Sequence, residues 1–288
     1  MLGKLIKHDF KATGKVMIPL NMVLVIVTIL GSLLVGSRLL QRTELLPLTI
    51  TLVIAYALMM IALSTVASIF LIVNFYRNMF SSQGYLTFTL PASPWSLLHS
   101  KTIVGFVWVL INTLLTFASV FLLTGSAAGF SNLGAIFREM ADASVTADGV
   151  TVSIGLTDII GYTLPQLALL LVLLTLISGF YSVAMGYGSV AIGQLYAKHK
   201  VVGTVIAYLV LQFISQIVMS VVMLFVSLRP LIGMVDSASQ DISTEELAHV
   251  MRSIYQPMLP ILIVVFLVIG VGCYVAAGII MNKKVNLD

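Results

Sequence analysis

The sequence predicts an all-α polytopic membrane protein with six transmembrane helices. Three observations carry this. Hydrophobic residues make up 59% of the 288 residues, charged residues only 9%, and the mean hydropathy is +1.10. A soluble domain carries about 25% charged residues, and no soluble fold of this length hides so much apolar surface, so its solvent is lipid. The apolar residues gather into six runs of spanning length, and one polar, turn-rich segment, Arg77–Lys101, interrupts them. Charges are too sparse for a separate soluble domain, so residues 1–288 read as one transmembrane unit.

Residues 1–15 predict an interfacial amphipathic helix. Leu2, Leu5, Ile6 and Phe10 recur at helical spacing while Lys4, Lys7 and Lys11 face elsewhere. Lys4, Lys7, Phe10 and Lys11 would anchor it among anionic headgroups. The expected spans are Val16–Ser37, Leu48–Tyr76, Leu97–Leu123, Ile160–Tyr196, Val201–Leu228 and Met258–Met281. The first exceeds a signal-peptide core and is expected to be retained. The second, third and fourth exceed the ~20 residues a span needs, so they tilt, bend or project. Pro165 belongs near the start of the fourth, where it is tolerated. Ser178, Ser182 and Gly186, four residues apart, predict a close-packing stripe. Only Ala197–Lys200 joins the fourth and fifth spans, which must be adjacent and antiparallel.

Two longer loops, 124–159 and 229–257, lie on the other side from the Arg77–Lys101 loop. In the first, Ser131 would cap a short helix through Ala143. Val145–Val152 would then form a hairpin turning at Asp148-Gly149. In the second, Ser243 and Glu246 form a capping-box pattern. Leu247, Val250, Met251 and Ile254 give the following helix an apolar face. The two loops are expected to pack on each other, on a second subunit, or to serve as solvated connections.

Charge orients the chain. With the N-terminus in the cytoplasm, ten basic and two acidic residues lie inside, five basic and nine acidic outside. That is the positive-inside pattern. It places both termini and the 77–101 loop in the cytoplasm, and it explains the basic balance without nucleic acid as a partner. Cys273 stands alone in an apolar run, so no intrachain disulfide forms and it reads as a packing residue.

No Walker A pattern, nucleophile elbow or zincin motif occurs, and no paired catalytic carboxylates lie in the spans. An enzyme is therefore not expected, and no catalytic, cofactor-binding or metal-ligating residue is assigned. No ionisable residue lies deep in a span, whereas proton-driven transporters use such relays. Gln212, Ser215 and Gln216 cluster on one side of the fifth helix and, with Asn112, are the candidates for a substrate pathway. Amides at such depth also bond between helices. A transporter driven by a separate ATPase subunit would fit these absences, with the Arg77–Lys101 loop as the place to receive its push.

The whole chain resembles the permease subunits of ATP-binding-cassette exporters of the type-2 class from Gram-positive bacteria. The opening MLGKLIKHDFKAT resembles their interfacial connecting helix, and Gly84-Tyr85-Leu86-Thr87-Phe88-Thr89-Leu90-Pro91 resembles their loop between spans two and three. The resemblance implies a coupling helix there that docks on a separate ATPase subunit. Met79, Phe80, Ser81, Ser82, Gln83, Gly84, Tyr85 and Phe88 would form the coupling surface. Many relatives carry acids before the Gly-Tyr, where this chain has Ser81, Ser82 and Gln83. Also implied are a second permease copy or paralogue, membrane lipid around the pair, and ATP and Mg on the ATPase with no cofactor here. The cargo would be amphipathic or hydrophobic: an antimicrobial peptide, a drug or a lipid-like molecule. Two other readings fit the same spans. One is an energy-independent channel or secondary transporter. The other is a non-transporting peptide-sensing or immunity subunit.

Overall fold

The computed structural model describes residues 2–37, 46–81, 84, 93–132, 134–135, 144–147, 150–153, 160–196, 200–237 and 244–283. Six helices are long and apolar enough to cross a membrane, so this is a multi-pass membrane protein. In chain order the elements are α1 (Leu2–Gly36), α2 (Leu46–Phe80), α3 (Pro94–Ala128), β1 (Ser144–Ala147) and β2 (Val150–Ser153). After them come α4 (Leu164–Gly193), α5 (Lys200–Ser237), α6 (Thr244–Tyr255) and α7 (Met258–Lys283).

The amphipathic start is not a separate element. α1 runs unbroken for 35 residues, so the first fifteen positions and the first span are one helix. Pro19 lies inside it; a proline removes one backbone donor, and here the helix continues through it. α3 starts earlier than hydropathy alone suggests. Ser93 is extended (φ −68°, ψ 147°), its Oγ accepts from Ser96 N at 3.3 Å, and Pro94 follows in the first turn. A cap and a proline fix that start better than apolar content does. The gap between α2 and α3 therefore narrows from residues 77–101 to residues 81–93. α5 likewise continues past Leu228 and through Pro230 to Ser237.

The chain divides into two compact units, described separately. The first comprises Met1–Ser131, Gly179–Leu209 and Gly270–Asp288. Within it α1 and α3 pack along a seam. On α1 the buried positions Gly14, Met17, Asn21, Leu24 and Thr28 recur at alternating steps of three and four. On α3, Gly105, Trp108, Asn112 and Ser119 follow the same rhythm. This is the repeat of helices that lie along one another over several turns. Polar rungs cross the seam: Ser100 to Asp9 at 2.8 Å, Asn112 to Asn21 at 3.1 Å, and Thr28 to Ser119 at 3.0 Å. Each pair is 91 residues apart in sequence. A constant difference means that the two helices run parallel, so the starts of α1 and α3 lie at the same end.

The other core of this unit sits at that end. Phe75, Met79 and Phe80 of α2 meet Leu97 and Leu98 of α3, Val183, Tyr187 and Val190 of α4, and Ala277 and Met281 of α7. α4 is buried on every side from Val183 to Ala191. Its glycines explain how. A Cβ on Gly186 would come within 2.8 Å of Ile72 on α2, and one on Gly188 within 3.0 Å of Cys273 on α7. A Cβ on Gly193 would collide with the backbone of Thr204 on α5, which seats these two helices together beside their short connection. Small residues let backbones approach in this way. The expected Ser178–Ser182–Gly186 stripe is thus realised only in part: Gly186 is buried and Ser182 faces outward.

The second unit comprises Asn132–Ser178 and Val210–Ile269. The two strands pair as their sequence predicts, with Ala147 opposite Val150, while the expected turn at Asp148-Gly149 lies outside the described residues. The expected cap at Ser131 leads into residues 136–143, outside the described residues. α6 occupies the segment that the capping-box pattern marks. Thr163 N donates to Gln166 Oε1 at 3.1 Å, the reach-back of a helix cap, so α4 starts at Leu164 rather than Ile160. The residues just before α4 touch the end of the second long loop. Tyr162 Oη donates to the Gln256 carbonyl at 2.8 Å, and Gln256 Nε2 to the Gly161 carbonyl at 3.4 Å. Gly161 has φ +72°, and a Cβ there would lie 2.6 Å from Arg252 Nε. Only glycine suits that position.

Candidate functional site

The candidate site is the root of the α2–α3 loop. α2 delivers Phe75, Met79 and Phe80 to the core at its last turns, and the Ser93 cap then returns the chain into α3. Phe75 stacks on Tyr187 with centroids 4.0 Å apart and meets Phe80 edge-on at 6.0 Å. Trp95, in the first turn of α3, covers Gly278 of α7 so closely that a Cβ there would collide with the indole ring. Tyr274 lies 6.3 Å from Trp95 and 5.6 Å from His99 by ring centroids. Both sides of the loop are therefore fastened to other helices.

Charge completes the root. Asp9 of α1 is buried, takes the hydrogen bond from Ser100 Oγ at 2.8 Å, and pairs with Lys101 Nζ at 2.5 Å. Only 10–12% of either side chain in that ion pair is exposed. One turn along, Trp108 Nε1 donates to Thr13 Oγ1 at 2.8 Å, and Phe10 stacks on the Trp108 ring at 4.8 Å. Tyr187 Oη reaches the Lys101 carbonyl at 3.4 Å. The start of α1, the start of α3 and α4 are thus joined where the loop leaves the bundle.

The residues expected to couple to a partner separate into two groups. Met79 and Phe80 are buried, as is Gly84. They hold the root of the loop and offer no surface for docking. Ser81 is half-buried; its Oγ donates to the Arg77 carbonyl at 2.5 Å, and its own carbonyl accepts from Gly84 N at 2.7 Å. Ser82, Gln83, Tyr85 and Phe88, and with them the expected coupling helix, lie outside the described residues. Of the anchor residues, Lys4, Lys7 and Lys11 are exposed as their helical spacing requires. Leu5 and Ile6 pack against the two cores and Phe10 stacks on Trp108, while Leu2 and Phe10 stay exposed, so only part of the apolar face meets protein.

The pathway candidates belong to different units. Asn112, in the first, donates to Asn21 within the α1–α3 seam. On α5, in the second, Ser215 is buried while Gln212 and Gln216 are exposed. Asp9 and its partners were missed by sequence reasoning, which counted Asp9 only as one of the two acidic residues inside. The available signal was a lone carboxylate among four lysines at positions 4–15. A solvated basic flank has no use for one.

Among the described residues no three His, Cys, Asp or Glu side chains gather into a metal site. The arrangement binds helices together. Compared with protein-family models, curated proteins and solved structures, the chain matches none.

Proposed function

We propose that this chain is the permease subunit of an ATP-binding-cassette exporter of the type-2 class. It would lie in the cell membrane with both termini in the cytoplasm and pair with a second permease copy or paralogue. ATP and Mg act on a separate ATPase subunit, and amphipathic or hydrophobic cargo (an antimicrobial peptide, a drug or a lipid-like molecule) moves outward. One observation supports this reading most. The Gly84–Pro91 motif is flanked by helix ends fixed in the core by Phe75, Met79, Leu97 and Leu98. A loop rooted that firmly passes a push on its tip to four helices, which is what an external motor needs.

The test uses the full chain reconstituted with the ATPase subunit that co-purifies with it in mild detergent. Tyr85→Ala with Phe88→Ala should lower permease-stimulated ATP hydrolysis at least ~10-fold, the loss expected when two apolar anchors leave an interface. Insertion and helix content should not change. Undiminished stimulation would overturn the assignment of coupling to this loop.

A further inference from the structure

The first unit contains a cleft of about 640 Å³ walled by α2, the end of α4 and the start of α5. Ile69, Ile72, Val73, Val205 and Leu209 line it. The hydroxyls of its serines and threonines turn back on their own helices. Ser68 Oγ donates to the Ser64 carbonyl at 3.0 Å, Ser189 Oγ to Gly186 at 2.7 Å, and Thr204 Oγ1 to Lys200 at 3.0 Å. Along its length the lining is almost wholly apolar and suits hydrocarbon.

One end differs. Tyr76 and Arg77 close it, and Arg77 is exposed. Among the described residues no carboxylate pairs with Arg77; the ion pair there is Asp9–Lys101. Between Thr65, which also lines the cleft, and Arg77, α2 rises about 18 Å. One leaflet of a bilayer has roughly 15 Å of hydrocarbon. A chain with its tail beside Thr65 therefore brings its headgroup to Arg77, and a tyrosine at that level suits the interface.

We propose that this cleft seats an acyl chain of an anionic phospholipid from the adjacent leaflet, its phosphate held by the Arg77 guanidinium. The volume lies within the ~300–1,000 Å³ of sites for small molecules. The apolar wall cannot choose among lipids, because bilayer tails are as apolar as Ile or Val. Selection falls to Arg77, whose planar fork fits phosphate in two-point contact. The inference does not rest on the transport reading.

The full chain would be reconstituted in vesicles carrying equal traces of phosphatidylglycerol or phosphatidylcholine with a photoreactive acyl chain, and cross-linked peptides counted. The cleft segments 65–77 and 201–209 should capture phosphatidylglycerol about fivefold over phosphatidylcholine. That ratio corresponds to the ~1 kcal/mol that one basic side chain contributes beside anionic headgroups. The outward face of α1 around Met22–Ile29 should capture both equally. Arg77→Gln should bring the cleft ratio to one, and Arg77→Lys should keep part of it. Val205→Trp should reduce capture of both lipids there. Equal capture by the wild type would mean ordinary bilayer lipid only and would overturn the proposal. So would a preference that survives Arg77→Gln. Should Val205→Trp not fold, the exposed Arg77 variants decide alone.

Discussion

Separating Asp9 from Lys101 tests whether the start of α1 is structurally fastened to α3. The carboxylate has two donors, Lys101 Nζ at 2.5 Å and Ser100 Oγ at 2.8 Å, and is almost fully buried. Lys101→Met removes the cationic donor and leaves a buried carboxylate with one neutral partner. Losing one member of a buried pair costs about 3–5 kcal/mol, and the low end applies here because both side chains keep 10–12% exposure. Asp9→Asn should cost less, about 1–2 kcal/mol, because a lysine can extend its stem and carry its charge toward water. In the double variant no unpaired charge remains, so the two losses should not add. A coupling of about 2 kcal/mol is expected, within the range for residues in direct contact. Reversible unfolding in mixed micelles, followed by helical circular dichroism as the denaturing detergent is raised, reads all four members of the cycle. Additive losses, with coupling under ~0.5 kcal/mol, would refute the pair as a structural fastening.

Two further outcomes can be checked directly. Gly278→Ala improves helix propensity by about 1 kcal/mol in isolation, yet its Cβ would displace Trp95, so a net loss of about 1–3 kcal/mol is expected. Tryptophan emission should move to the red as the indole leaves its seat, and an unshifted spectrum with gained stability would contradict the packing of Trp95 on α7. In a background with Cys273 replaced, a membrane-impermeant thiol reagent should reach Asp148→Cys from outside in intact cells and Gln83→Cys only after lysis. The reverse pattern would invert the topology deduced from charge.

Hydropathy located every long helix because a span needs a run of apolar residues and little else. It misplaced ends, because ends are set by single residues. Ser93 starts α3 through its cap, Thr163 and Gln166 delay α4, and α5 continues through Pro230. Turn chemistry made the β1–β2 hairpin legible, since Asp-Gly is a strong local signal. The site was legible only as a loop. Its root was hidden because Met79 and Phe80 look the same in sequence whether they face a partner or a core. Asp9 was hidden because its partner lies 92 residues away. Asn112 shows the same limit: the residue type marks a buried polar role, and only the fold reveals that Asn21 fills it.

The spacing of the polar rungs has a mechanical consequence. In lipid, apolar side chains favour contact with protein and with bilayer tails nearly alike, so they fix helix register poorly. Polar groups fix it well, because sliding by one turn would leave each of them unpaired in a medium without water. Asp9, Asn21 and Thr28 meet Ser100, Asn112 and Ser119 at one constant offset, so a slip that breaks one rung breaks all three. α1 and α3 must then shift as a single body. The loop root is built on the first turns of α3, so any displacement of Trp95 or Leu97 carries the N-terminal helix with it. If a partner pushes on the loop, α1 is the first helix to respond. A cross-link between α1 and α3 along the seam should therefore leave such coupling intact, while one that ties Trp95 to α7 should abolish it.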